Sequence, residues 1–166
     1  RASSLVSLQF FGGDPLSMPG VISLPTIVEL KIKWHPAIVD DVSESTSNLT
    51  LMEASRLTDL SGFARLRNLN SLTIHGSKRV GLGELRQIAS LSHLELNMIR
   101  SVVETSSVLD APVLSSLIFE NCSHVEQSEA LQAFLGVVRV IGRNPFTEDF
   151  QRAVGANWSF PLGRLR

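Results

Sequence analysis

The feature that most constrains this chain is a spacing, apolar-x-x-apolar-x-apolar, that returns along most of its length. It stands as Leu5-Val-Ser-Leu8-Gln-Phe10, Ile27-Val-Glu-Leu30-Lys-Ile32, Leu69-Asn-Ser-Leu72-Thr-Ile74, Leu91-Ser-His-Leu94-Glu-Leu96 and Leu114-Ser-Ser-Leu117-Ile-Phe119. Weaker copies are Thr46-Ser-Asn-Leu49-Thr-Leu51 and Leu135-Gly-Val-Val138-Arg-Val140. The central anchors Leu8, Leu30, Leu49, Leu72, Leu94, Leu117 and Val138 follow one another at separations of 22, 19, 23, 22, 23 and 21 residues. A near-constant period of this length signals a stack of like units. Around each anchor the apolar residues alternate with polar ones, as a short half-buried strand requires. One such strand cannot bury its apolar face alone. Stacked copies do so, forming a parallel sheet over a continuous core.

The block from Leu114 to Cys122 reads L-S-S-L-I-F-E-N-C and fits the pattern L-x-x-L-x-L-x-x-N/C, with Phe119 in the last apolar slot. On these residues the chain resembles the leucine-rich repeat family, over residues 5–144. Uneven periods, Thr46 and several absent asparagines depart from the family pattern. The resemblance implies an α/β solenoid with a curved parallel sheet on its concave side and short helices and loops on its convex side. It implies one domain over residues 1–166, with about seven repeats and a C-terminal cap at 145–166. It also implies that Cys122, closing its motif, points inward as a core thiol.

The segments between strands are less uniform. Leu82, Leu85, Ile88 and Ala89 predict a helix over residues 80–90. Leu60, Phe63, Ala64 and Leu66 predict a helical turn or two over 59–66. Ala130, Leu131 and Phe134 predict another over 126–134, opened by a capping box from Ser123 to Glu126. Residues 12–25, rich in Gly and Pro, read as loop or 3₁₀. Residues 40–47, acidic and Ser-rich, read as a mobile convex loop. A last helix is expected over 147–154, with Trp158, Phe160 and Leu162 folding back over the end of the core. No amphipathic cap precedes the first strand, so a portion upstream of Arg1 is expected.

Composition narrows the function classes. The formal net charge is −1, which disfavours a surface dominated by nucleic-acid contacts. One cysteine excludes an intrachain disulfide framework. No apolar run is long enough to span a bilayer. Extracellular leucine-rich repeat domains usually carry Cys-rich caps, so the resemblance, with one cysteine here, implies a cytoplasmic or other intracellular setting over a secreted one.

No constellation points to catalysis, a cofactor or a metal. Gly76-Ser-Lys-Arg-Val-Gly81-Leu-Gly83 lacks the Gly-Lys-Ser/Thr that a phosphate loop needs, and reads as a turn after a strand. His75 and His93 lie on neighbouring strands but four positions out of step. That is about 13 Å along a strand, too far to share a metal. Asp14, Asp40 and Asp41 lack calcium-loop spacing. Cys122 and His124 have no third partner for a nucleophile. The sequons at Asn48, Asn121 and Asn157 read as chance in a chain so rich in Ser and Thr.

What remains is the outward face of the strands. Its three columns read Ser7, Glu29, Asn48, Ser71, His93, Ser116, Val137; then Gln9, Lys31, Thr50, Thr73, Glu95, Ile118, Arg139; then Phe11, Lys33, Met52, His75, Asn97, Glu120, Ile141. This mixture suits a protein partner better than a polyanion or a small metabolite. Trp34 is the candidate aromatic anchor, unless it packs on its own loop. Met52 and His75 form the second candidate pair, with Lys31, Lys33, His93, Glu95, Asn97 and Glu120 around them. The expected function is non-catalytic protein recognition. The alternatives are a structural subunit of a large complex, or the recognition part of a larger receptor or ubiquitin ligase.

Overall fold

A computed structural model describes residues 6–10 and 19–161. Leu5, Phe11 and Leu162 therefore lie outside the described residues, as does part of the 12–25 segment. In chain order the strands are β1 (Ser7–Phe10), β2 (Glu29–Lys33), β3 (Asn48–Met52), β4 (Ser71–His75), β5 (Arg79–Gly81), β6 (His93–Asn97), β7 (Ser101–Val103), β8 (Ser116–Glu120), β9 (Val137–Ile141) and β10 (Trp158–Ser159). Eight of them form one sheet in the order β1-β2-β3-β4-β6-β8-β9-β10, and every pairing is parallel.

The register follows the anchors throughout. Leu8 pairs with Leu30, Leu30 with Leu49, Leu49 with Leu72, Leu72 with Leu94, Leu94 with Leu117 and Leu117 with Val138. Trp158 then pairs with Val138, so it takes the anchor place of an eighth rung. Two residues past each anchor from Leu30 on, Ile32, Leu51, Ile74, Leu96, Phe119 and Val140 form a second buried column, with Phe10 partly buried at its start. Thr46, in the weak third copy, is fully buried in the first apolar slot and donates its hydroxyl hydrogen to Ile27 O at 3.4 Å. The seventh copy departs from expectation. Leu135 is 95% exposed, and Phe134 is buried beside it.

From β3 onward, each sheet strand through β9 is left through a left-handed residue four positions past the anchor: Glu53, Gly76, Met98, Asn121 and Gly142, with φ of 51°, 75°, 54°, 52° and 69°. The next buried column, eight past the anchor, is Ile38, Leu57, Val80, Val102, Val125 and Phe146. Here β5 pairs with β7 through Val80 and Val102, and Val125 adds a bridge to Val102.

The helices expected over 80–90, 59–66 and 126–134 are not α-helices. They are short 3₁₀ segments at Leu85–Gln87, Ser61–Arg65 and Ser128–Ala133, with β5 at the start of the first. The reason lies in the spacing. Leu60, Phe63, Leu66 and Leu69 recur at intervals of three, as do Leu82, Leu85, Ile88 and Leu91, and all are buried. At 3.6 residues per turn such a row slips about 60° per turn, and its ends face opposite ways. At three per turn it stays on one face. The backbone accordingly bonds three back: Phe63 N–H to Leu60 O, Leu66 N–H to Phe63 O and Leu69 N–H to Leu66 O, each at 3.0 Å. The segment over Leu82–Leu91 repeats this with bonds of 3.0–3.1 Å.

The capping box is also absent. The residue before Ser128–Ala133 is left-handed Gln127, with no side-chain cap, and Ser123 instead accepts from Arg143. Residues 40–47 are packed rather than mobile. A 3₁₀ segment covers Pro36–Asp41, and Val42, Ser43 and Thr46 are buried. Arg65 Nη2 donates to the carbonyls of Val39 and Val42, and Ser45 Oγ donates to Ile27 O at 3.1 Å. In the 12–25 segment a four-residue helix, α1, spans Pro19–Ile22.

The expected last helix is present, and Trp158 and Phe160 pack against the core. Helix α2 (Glu148–Ala153) is capped by Thr147, whose side chain accepts from Phe150 N. Phe146, Phe150, Trp158 and Phe160 pack together with ring centroids 4.8–6.2 Å apart. Phe146 also meets Phe119 edge-on at 5.4 Å, which joins this cluster to the leucine stack.

Candidate protein-binding face

Alternation in the strands turns every second side chain away from the core. The register lines these residues up across the sheet. Lys31 pairs with Thr50, Thr50 with Thr73, Thr73 with Glu95, Glu95 with Ile118 and Ile118 with Arg139. Lys33 pairs with Met52; His75 pairs with Asn97, Asn97 with Glu120 and Glu120 with Ile141. His93 pairs with Ser71 on one side and Ser116 on the other. The pairing of β3 with β4 is recorded up to Leu51 and Ile74, one step before Met52 and His75. Lys31, Lys33, Met52, His75, His93, Glu95, Asn97 and Glu120 are all half-buried on this face.

Polar contacts fix several of them. Lys33 Nζ lies 2.6 Å from Glu53 Oε2, an exposed ion pair of small energetic weight. Asn97 Nδ2 donates to Glu120 Oε2. His93 Nδ1 and Ser116 Oγ share a hydrogen bond of 2.9 Å. The face therefore changes character along the stack. It is cationic at Lys31 and Lys33, then mixed from His75 to Glu120. At the last full strand, exposed Val137 (49%) and Ile141 (44%) flank an exposed Arg139. Sequence reasoning placed Val137, Ile118 and Ile141 in these columns but not among the binding residues. The signal was there: β9 reads Val-Val-Arg-Val-Ile, apolar on outward as well as inward positions.

Trp34 does not belong to this face. It follows Lys33 by one residue, and its ring packs against Phe63 with centroids 5.7 Å apart. Phe63 lies in the neighbouring return segment, so Trp34 packs within the stack. Trp34 and Phe63 line a small cleft of about 230 Å³ with Val39, Arg56 and Asp59. Hydrogen bonds from Ser61 hold the Asp59 carboxyl below the usual range.

Cys122 is fully buried and donates its thiol hydrogen to Leu96 O at 3.2 Å. Burial pushes the thiol up to about 11, away from the reactive range. The failed phosphate loop is a turn: Gly76 is left-handed and Val80 sits in β5. Asn157 donates to Phe134 O at 3.1 Å and Gly136 O at 2.7 Å, so its amide nitrogen is already engaged. Among the described residues, no group of three His, Cys, Asp or Glu is placed to hold a metal ion, and no helix is long and apolar enough to cross a membrane.

No protein-family model matches the chain, and no curated protein sequence does. Solved structures do. Internalin C2 from Listeria monocytogenes superposes with a TM-score of 0.64 at 15% identity, over 97% of this chain and 72% of that one. A second internalin from the same organism (inlF) gives a TM-score of 0.53 at 13% identity, over 86% of this chain and 52% of that one. At such identities the likeness concerns the fold. Internalins are leucine-rich repeat proteins. Repeat, register and structural likeness together give this chain the fold of an α/β leucine-rich-repeat solenoid, with an eight-stranded parallel sheet and short 3₁₀ turns between its strands.

Proposed function

We propose that the chain is a non-catalytic recognition module that holds a protein partner against the concave sheet. One observation carries this reading. The outward columns run in register across the sheet and end in exposed Val137 and Ile141. An apolar spot beside a polar, mixed-charge surface is the usual make-up of a protein-binding patch. In this reading Val137, Ile141 and Met52 supply contact area. Lys31, Lys33, His75, His93, Glu95, Asn97 and Glu120 set orientation and register. Trp34 holds neighbouring turns together from within the stack. The buried, weakly acidic Cys122 is a packing residue rather than a nucleophile.

The test captures a partner from native lysate, purifies it and titrates it against variants. Met52→Ala/His75→Ala and Val137→Ser/Ile141→Ser should each weaken binding by about tenfold or more, or about 1.4 kcal/mol. Glu129→Ala/Gln132→Ala, exposed on the convex side, should leave it within twofold of wild type, or about 0.4 kcal/mol. Loss in the convex variant with retention in both concave ones would move the site off the sheet.

A further inference from the structure

We infer that the flank where the strands end is a second binding surface, built for an extended acidic peptide segment. A groove of about 540 Å³ opens there, with Lys78, Met98, Arg100, Asn121, Ser123 and Arg143 in its lining. Three of its residues are cations, and no carboxylate lines it.

The repeat itself creates the row. Lys78, Arg100 and Ser123 each lie six residues past their anchors Leu72, Leu94 and Leu117, so they occupy the same step of consecutive turns. Arg143, one rung further, leans back to donate from Nη1 to Ser123 Oγ at 3.0 Å. Rungs are spaced by about 4.8 Å, so the three steps from Lys78 to Arg143 cover about 14 Å. An extended chain crosses that distance in four to five residues at about 3.3 Å each.

The row is rigidly held. Arg100 N–H donates to Ser77 O at 3.0 Å, Ser123 N–H to Ile99 O at 3.0 Å, and Arg143 N–H to Asn121 Oδ1 at 3.3 Å. The carboxylates nearest in the repeat are engaged elsewhere: Glu53 with Lys33, and Glu120 with Asn97. Lys78 and Arg100 are exposed, and among the described residues neither meets a carboxylate. Met98, 56% exposed, lines the same groove and offers an apolar contact. Carboxylates spaced about one apolar side chain match this pattern, and bidentate guanidinium contacts would fix them. A nucleic acid fits less well, because three cations on a chain of net charge −1 make a weak phosphate track.

The test is fluorescence anisotropy with a fluorescein-labelled Glu-Glu-Leu-Glu-Glu peptide at about 50 mM salt, where exposed charges are little screened. Wild type should bind saturably. Lys78→Gln/Arg100→Gln/Arg143→Gln should weaken binding by about tenfold or more, while Arg67→Gln/Arg86→Gln, exposed on the return segments, should change it by less than about twofold. A urea melt confirms that the triple variant is folded. In a second measurement, Lys78→Glu/Arg100→Glu/Arg143→Glu, which reverses the charge of the groove, should lose the acidic peptide and gain Lys-Lys-Leu-Lys-Lys. No saturable binding by wild type, or equal loss in both glutamine variants, overturns the proposal. So does an oligothymidylate that binds more tightly than the peptide with the same triple-variant dependence, which would assign the groove to nucleic acid.

Discussion

Leu94 and Leu135 look alike as repeat leucines, and the structure separates them. Leu94 is fully buried at mid-stack, in register with Leu72 on one side and Leu117 on the other. Leu135 opens the last repeat and is 95% exposed. Truncating Leu94 to alanine removes three carbons from a site with no solvent access. The neighbours are held by ladder hydrogen bonds on both sides and cannot collapse into the space. The cost should lie in the upper part of the buried Leu→Ala range, about 3–5 kcal/mol. Leu135→Ala loses almost no buried area, and should stay within about 0.5 kcal/mol of wild type. With a urea slope of about 2 kcal/mol per molar, Leu94→Ala lowers the midpoint by about 1.5–2.5 M and Leu135→Ala by no more than about 0.25 M. Far-ultraviolet circular dichroism follows the sheet. Tryptophan fluorescence follows both ends, because Trp34 sits beside the second rung and Trp158 in the eighth. Equal midpoint shifts for the two variants would refute the assignment of Leu135 to the surface. A Leu94→Ala midpoint unchanged from wild type would refute the stacked register itself.

Two further perturbations probe the turns and the core thiol. At Gly76 an added Cβ would meet nothing closer than Glu53 Cα at 3.7 Å, so Gly76→Ala should cost only the left-handed backbone penalty, about 1 kcal/mol. Met98→Gly at the equivalent position relieves that penalty but loosens the unfolded chain, and should leave stability within about 0.5 kcal/mol of wild type. Urea midpoints check both, and a Gly76→Ala protein as stable as wild type would remove the left-handed turn from the repeat. For Cys122, a thiol pushed up to about 11 from an ordinary 9.0 is protonated in the folded state. Its contribution to stability is fully present below pH 9 and is lost as pH rises towards 11. Ellman's reagent at pH 8 should therefore label native protein far more slowly than urea-unfolded protein, and the stability loss between pH 9 and 11 should be smaller in Cys122→Ala. Fast labelling of the native protein would place the thiol at the surface.

Much of this fold is legible in the sequence because the repeat reports itself in two ways. The anchor column and the column two residues on are set by strand alternation, which is a local property of the backbone. The separations of 19 to 23 residues say that each strand must lie beside the next. The same alternation assigns the outward columns, so the sheet face is legible in the sequence. The return segments were harder. Two or three apolar residues in such a segment fit a helical turn as well as a 3₁₀ turn. Only the full rows, Leu60 to Leu69 and Leu82 to Leu91, buried along one face, separate the two, because they need three residues per turn.

The remaining errors have the same origin. Residues 40–47 carry no apolar period, yet Arg65, more than twenty positions on, draws the carbonyls of Val39 and Val42 into the packed turn. Trp34 looked like an anchor because it follows an outward lysine, and only the position of Phe63 in the next repeat turns its ring inward. The flank groove was not visible because its cations come from three separate repeats. The sequence by itself determined the repeat, the strands and their register, since those follow from period and alternation. Tertiary structure alone decided which leucine of a matching pair is buried, which way Trp34 packs, and which distant charges share a surface. Those outcomes depend on what the neighbouring turns place opposite each side chain.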